Sequence, residues 1–112
     1  MGISTHILDT TVGRPAAGIA VTLEREEGDS WIKVNSTTTD QDGRCKHLLP
    51  ESQTLNAGLH RVRFDTAAYF ASRQIVTLYP FVEITFEVAN PQEHYHIPLL
   101  LTANGYTTYR GS

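Results

Sequence analysis

The sequence has only one cysteine, Cys45, so no intramolecular disulfide can form. A single cysteine is typical of a reducing compartment, and we expect the protein in the cytoplasm. No apolar stretch approaches the roughly 20 residues of a membrane-spanning helix, and residues 1–10 lack the basic and apolar regions of a secretory signal. Lysine and arginine number 9 against 12 aspartate and glutamate residues, for a net charge of −3. We therefore expect neither nucleic acid nor a membrane as a partner.

Helix signals are scarce, whereas short segments of alternating polarity recur along the chain. Asp65 is a good N-cap before a single predicted helix over residues 66–73. The remaining pattern predicts about eight strands separated by turn residues, at 3–9, 19–25, 31–39, a short strand from 44, 59–64, 81–88, 95–102 and 106–111. These 112 residues are predicted to form a single all-β domain, 1–112, built as a sandwich or barrel.

Three histidines lie at positions where strand alternation gives them a defined face. His6 shares a face with Ser4 and Leu8, and His94 and His96 share a face of a later strand. The His-x-His spacing is compatible with zinc, and His6 could supply a third ligand. Two other interpretations stay open: half-buried structural histidines, or a metal-free general base that titrates near neutral pH.

Arg44 and the last four residues are the other candidates for chemistry. Arg44 follows the turn over residues 40–43, where it is either a solvated charge or a fork of donors for an anion or a carbonyl. The final strand is predicted to carry Arg110 and Ser112 on one face and Tyr109 on the other. Arginine, a hydroxyl and a carboxylate close together would suit a small polar ligand.

Together these segments resemble the transthyretin-like family, and in particular its purine-degrading branch. The hormone-carrying transthyretins of that family lack a histidine at the position of His96 and lack the terminal tetrapeptide. The similarity covers essentially the whole chain and rests on four motifs, which are His6-Ile7-Leu8-Asp9 with Gly13-Arg14-Pro15-Ala16, Asp42-Gly43-Arg44, Tyr95-His96-Ile97-Pro98-Leu99-Leu100-Leu101, and Tyr109-Arg110-Gly111-Ser112.

The resemblance implies a fold, an assembly and an activity. The fold is a transthyretin-like (prealbumin-like) β-sandwich of two four-stranded sheets with one short helix. The assembly is a homotetramer, a dimer of dimers, whose sites line a channel between dimers. The activity is hydrolysis of 5-hydroxyisourate to 2-oxo-4-hydroxy-4-carboxy-5-ureidoimidazoline, which opens the N1–C6 bond in urate degradation toward allantoin. The resemblance implies a cyclic amide hydrolase that needs no metal and no other cofactor.

The resemblance also implies a role for each site residue. One of His6 and His96 takes the proton from water, and the other orients the water or protonates the leaving nitrogen. Arg44 stabilises the oxyanion. The catalytic set is His6, Arg44, His96 and Ser112, and the substrate-binding set is His6, Arg44, Tyr109, Arg110, Gly111 and Ser112. Two alternatives are a non-catalytic ligand carrier on the same fold and a zinc hydrolase that uses His6, His94 and His96.

Overall fold

The computed structural model describes residues 2–112, and within this range it contains nine strands and one helix. The elements in chain order are β1 (Ile3–Asp9), β2 (Arg14–Pro15), β3 (Ala20–Glu27), β4 (Ser30–Thr38), β5 (Arg44–Cys45), β6 (Gly58–Phe64), α1 (Thr66–Ala71), β7 (Val82–Val88), β8 (Tyr95–Thr102) and β9 (Gly105–Thr108). Within residues 2–112, the helix α1 is too short to cross a membrane.

The strands form two sheets. One sheet has the order β4-β3-β6-β7, and all its neighbouring strands are antiparallel. The other has the order β2-β1-β8-β9, in which β1 and β8 run parallel, and β5 also pairs with β1. β2 and β5 pair with different parts of β1, because β5 is opposite Thr5 and His6 whereas β2 is opposite Leu8 and Asp9. The predicted β-sandwich with one short helix is confirmed, but the second sheet has five strands rather than four, because Arg14–Pro15, which was not predicted as a strand, pairs with β1 as β2.

The helix and the last strand are shorter than predicted. α1 ends at Ala71, and Asp65 occupies its N-cap position without a side-chain capping bond. The Asp65 carboxylate instead accepts a hydrogen bond of 3.1 Å from Nε of Arg63. β9 ends at Thr108 rather than at residue 111, and only Gly111 then returns to pair with His96.

The core lies between the two sheets and fixes which face of each strand is free. In β1, Ile3 and Ile7 are fully buried, whereas Ser4 and His6 remain partly exposed. Each fully buried aliphatic side chain stabilises the fold by about 1.5–3 kcal/mol, so a shift of register by one residue would be costly. The residues that fill the core from the other long strands and the helix include Val21, Leu23, Val62, Phe64, Phe70, Leu99 and Leu101. The outer face of β1 is therefore available for a site.

A buried carboxylate joins the end of β1 to the helix. Asp9 is 1% exposed, and its Oδ2 accepts a hydrogen bond of 2.8 Å from the Tyr69 hydroxyl. The backbone N–H of Thr11 donates to Oδ1 at 3.1 Å. Burial, together with the neighbouring Asp9 carboxylate, raises the pKa of Tyr69 to about 12. The hydroxyl therefore stays protonated and remains a donor to Asp9 at neutral pH.

Replacing Tyr69 by phenylalanine should destabilise the protein without changing the sheets. The change removes one donor from a buried carboxylate, which costs about 1–3 kcal/mol in the free energy of unfolding. Urea denaturation measures this loss as a lower midpoint with an unchanged slope. Tyr106→Phe is the matched control, because the Tyr106 ring is 44% exposed. Equal midpoints for the two variants would show that the Tyr69–Asp9 bond does not stabilise the fold.

Candidate active site

The candidate site is built on β1, because its two neighbours bring other polar side chains beside it. The parallel pairing with β8 places His96 opposite Ser4. The antiparallel pairing with β5 places Arg44 opposite His6. Ser4 and His6 share the partly exposed face of β1. Three distant segments of sequence therefore meet on one face of one sheet.

A tight turn presents Arg44 to β1. The Asp40 carboxylate accepts hydrogen bonds from the backbone N–H groups of Asp42 at 2.9 Å and Arg44 at 3.0 Å. The bond from the Arg44 N–H is the main cause that lowers the pKa of Asp40. Gly43 has φ +73°, and a Cβ there would lie 2.5 Å from the carbonyl oxygen of Ile7. Only glycine fits this turn, so the position of Arg44 depends on Gly43.

The end of the chain is held against the His96 ring. The backbone N–H of Gly111 donates to the His96 carbonyl oxygen at 2.9 Å. A Cβ at Gly111 would overlap His96 Cδ2 and would lie 3.1 Å from Pro98 Cγ. The absence of a side chain at Gly111 thus lets the backbone approach the imidazole closely and brings Ser112 to the same face.

These elements surround an open cavity of about 350 Å³. Its lining combines two cationic side chains, two histidines and three hydroxyl-bearing residues, namely Arg44, Lys46, His94, His96, Ser4, Thr5 and Ser112. The volume suits a small polar heterocycle. A cavity with this lining favours an anionic or strongly polar ligand over an apolar one.

Burial and neighbouring charge favour the neutral form of His96. Burial is the largest cause that lowers the pKa of His96 below its usual value, and the charges of Arg44, His6 and His94 lower it further. A neutral imidazole at neutral pH can accept a proton from water. The site therefore has a candidate general base beside a guanidinium that can stabilise an oxyanion.

The structure brings some of the predicted site residues together and separates others. Arg44, His96 and Ser112 line the cavity. His6 does not line this cavity, although it lies opposite Arg44 and is one of the neighbours that lower the pKa of His96. Gly111 contacts the His96 ring.

Tyr109 and Arg110 lie at a second cavity of about 270 Å³, together with residues of β7 and β8. The Arg110 guanidinium is 3.5 Å from the Glu93 carboxylate and 4.6 Å from the centre of the Tyr95 ring. The prediction that Arg110 and Ser112 share one face of the last strand is wrong, because β9 ends at Thr108.

Sequence reasoning assigned no role to three of the cavity residues, and it considered a fourth, His94, only as a zinc ligand. Two of them could have been found from the sequence. Ser4 shares a strand face with His6, and Lys46 lies two residues after Arg44, so alternation puts each on the same face as a candidate site residue. Thr5 belongs to the buried face of β1, and its hydroxyl donates to the Ile97 carbonyl at 2.6 Å. The fourth residue, His94, is joined to the site by Ser4, whose Oγ is 2.8 Å from His94 Nε2 and 2.8 Å from His96 Nδ1.

The histidines of the zinc alternative do not form a ligand cluster. Within residues 2–112 there is no group of three or more histidine, cysteine, aspartate or glutamate side chains arranged to hold a metal ion. Ser4 Oγ instead lies within hydrogen-bond distance of both His94 and His96. The arrangement is that of a hydrogen-bonded chain.

Comparison with known proteins places this fold and site in a family. The family model described as HIUase/Transthyretin family matches residues 3–111. The chain belongs to the HIUase/transthyretin family. Among its relatives, the 5-hydroxyisourate hydrolase of Salmonella dublin is 46% identical over 110 residues, which are 98% of this chain and 80% of that protein.

Two solved structures show the breadth of the family. The 5-hydroxyisourate hydrolase of Klebsiella pneumoniae has a TM-score of 0.86 at 34% identity, with 100% of both chains covered. Sea bream transthyretin in complex with thyroxine has a TM-score of 0.91 at 32% identity, with 99% of this chain and 95% of that chain covered. Because hydrolases and a hormone-binding protein share this fold, the site residues must decide between the two functions.

Proposed function

We propose that this protein hydrolyses 5-hydroxyisourate to 2-oxo-4-hydroxy-4-carboxy-5-ureidoimidazoline by opening the N1–C6 bond. The observation that carries the proposal is the pairing of a neutral His96 with Arg44 in one polar cavity. The 46% identity to a hydrolase with this substrate supports the choice of heterocycle. The reaction lies in urate degradation toward allantoin and uses no metal or other cofactor.

Water attacks the C6 carbonyl and the amide bond then breaks. One of His6 and His96 takes a proton from the water as the hydroxide adds, and the other orients the water or protonates the leaving nitrogen. The Arg44 guanidinium stabilises the negative charge that develops on the carbonyl oxygen. Ser112, which lines the same cavity, holds the substrate. The product gains a carboxylate, which Arg44 and Lys46 can accommodate.

A non-catalytic carrier of hydrophobic or hormone-like ligands is the alternative, and the likeness to a thyroxine complex of transthyretin favours it. An apolar ligand in this cavity would cover Arg44 and Lys46 without pairing their charges. Burying an unpaired charge is costly. Hydrolysis of a polar substrate therefore suits the cavity better than carriage.

Tyr109 and Arg110 belong to the proposed substrate-binding set, and they would reach the substrate when several copies of the chain assemble. We propose a homotetramer, a dimer of dimers, in which the chain ends of neighbouring subunits line a shared channel. The exposed apolar side chains of Val12, Tyr106 and Tyr109 support such an interface. Light scattering should give the mass of four chains, and a monomer at micromolar concentration would contradict the assembly.

The proposal also treats residues 1–112 as one domain that acts in the cytoplasm.

The direct test generates 5-hydroxyisourate in the assay mixture with urate oxidase and follows its ultraviolet absorbance. Addition of this protein should accelerate the decay well beyond the spontaneous rate. A parallel sample with the His96→Asn variant controls for non-specific protein effects. A decay equal to the spontaneous rate would overturn the hydrolase function.

Replacing Arg44 by lysine tests whether charge alone is sufficient. Lysine keeps the positive charge but loses the planar fork of donors. If Arg44 directs its N–H groups at the carbonyl oxygen, kcat should fall by roughly 10²-fold, the scale for one lost oxyanion donor. Steady-state kinetics of Arg44→Lys measures this, with Arg14→Lys as the control at an exposed position in β2. Normal turnover in the Arg44→Lys variant would mean that only a diffuse charge is needed.

A further inference from the structure

Ser4 connects the candidate base to a second histidine. Its Oγ lies 2.8 Å from His96 Nδ1 and 2.8 Å from His94 Nε2. His94 is more exposed than His96 and lines both the site cavity and an adjoining cavity of about 470 Å³. The chain His96–Ser4–His94 therefore runs from the inside of the site to its edge.

A hydroxyl has a single proton, so the two bonds to Ser4 constrain each other. Ser4 can donate to only one of the two neutral imidazoles, and it must accept an N–H from the other. If Ser4 donates to His94 Nε2, it accepts from His96 Nδ1–H. In that case His96 Nε2 carries the free lone pair. The opposite orientation would place a proton on His96 Nε2 and would remove its ability to act as a base.

We propose that Ser4 and His94 are positioning residues that hold His96 as its Nδ1–H tautomer, with Nε2 free to take the proton from water. This inference rests on the proposed hydrolase function and assigns the general base to His96 rather than His6. His94 acts by accepting the Ser4 hydroxyl proton, which turns a lone pair of Ser4 Oγ toward His96. Neither residue is assigned a bond to the substrate.

The remaining contacts of the ring agree with this orientation. Gly111 lies against Cδ2 and Cγ of His96 and limits movement of the ring, and a flipped ring would lose the Nδ1 bond to Ser4. The bond to Ser4 Oγ engages Nδ1 of His96, and the ring also has a hydrogen bond with the Ser4 backbone. In the proposed tautomer Nε2 carries the free lone pair that takes the proton from water.

The proton transfer balances within the site. One O–H bond of water breaks, the hydroxide adds to the C6 carbonyl, and the proton binds His96 Nε2. The imidazolium that forms keeps its Nδ1–H, which now donates to Ser4 from a charged group and makes a stronger bond. The charged or titratable groups that face His96 are His6 from β1, Arg44 from β5 and His94, with Lys46 and the Ser112 end also lining the cavity.

The tautomers can be measured in the resting protein, independently of turnover. We would label the full chain with ¹⁵N-histidine and record the imidazole nitrogen shifts above pH 7. The expected result is Nδ1–H for both His94 and His96, and the assignments come from His94→Gln and His96→Asn. Nε2–H on His96 would overturn the inference.

Kinetics of three variants tests the consequence for catalysis. Ser4→Ala should lower kcat by about 10-fold to 10²-fold, because the loss cannot exceed the contribution of the general base itself. KM should stay nearly unchanged, and both tautomers of His96 should be populated. Ser4→Thr retains the hydroxyl and should recover most of the loss. His94→Gln, at an exposed position, should lower kcat by several-fold with an unchanged melting temperature.

Ser36→Ala is the matched control, because Ser36 lies on β4, in the sheet that does not carry the site, where its hydroxyl bonds Thr22 of the neighbouring β3 at 3.2 Å. The inference would be overturned if Ser4→Ala kept full kcat and an unchanged His96 tautomer, and the hydrolase function would remain intact. If Ser4→Ala fails to fold, the same result in His94→Gln would overturn it. An inactive wild-type protein would overturn the proposed function instead, whatever the tautomers.

Discussion

His96→Asn should fold and assemble as the wild-type protein does and lose at least roughly 10²-fold in kcat, the usual contribution of a general base. Asparagine keeps a polar group near the position of Nδ1 but cannot take a proton at neutral pH. The His96 side chain is only partly buried, so the loss of stability should be small. Turnover of 5-hydroxyisourate and the thermal midpoint, measured on the same sample, separate the two effects.

His47→Asn is the control for this experiment. His47 is exposed, lies 3.4 Å from the Glu51 carboxylate and does not line the site cavity. Its replacement should leave kcat unchanged. Near-normal turnover in the His96→Asn variant would remove His96 from the mechanism and would leave His6 as the candidate base.

The sequence was sufficient to predict features that depend on local alternation. The predicted bounds of β1 and β8, residues 3–9 and 95–102, agree with the structure. Burial of Ile3 and Ile7 follows from the same period of two that leaves His6 and Ser4 partly exposed. The strand count predicted a sandwich or a barrel, and the family resemblance implied the sandwich, which is confirmed.

Features that depend on pairing between distant strands could not be predicted from local pattern. The contact between Ser4 and His96 joins residues 92 positions apart, and it exists because β1 and β8 pair in parallel with Ser4 opposite His96. A shift of two residues would preserve every buried face but would place His6 opposite His96. Alternation alone cannot distinguish these registers, so the role of Ser4 emerged only from the structure.

The chain end shows a second reason why local pattern is insufficient. Its residues alternate well enough to predict a strand to 111, yet regular pairing with β8 ends where Leu99 meets Thr108. The segment resumes contact only at Gly111, opposite His96. Arg110 turns instead toward Glu93 and Tyr95, two partners outside the site cavity. Its membership of the substrate-binding set remains a prediction that depends on the tetramer.

Gly111→Ala should reduce turnover by about 10²-fold although the change adds only one methyl group. The new Cβ would overlap the His96 ring at Cδ2 and press against Pro98. Either the imidazole or the chain end must then move, and a misplacement of about 1 Å can cost roughly 10²-fold in rate. The backbone bond between Gly111 and His96 adds little to stability near a chain end, so the thermal midpoint should change little.

Gly105→Ala is the matched control, because it adds the same methyl group to the same sheet. A Cβ at Gly105 would lie 3.5 Å from Thr102 Oγ1, an ordinary contact distance. We expect this variant to retain wild-type kcat. The two kcat values, measured with 5-hydroxyisourate under identical conditions, give the comparison. If Gly111→Ala is as active as Gly105→Ala, then the close approach of the chain end to His96 does not position the base, and Gly111 and Ser112 leave the proposed site.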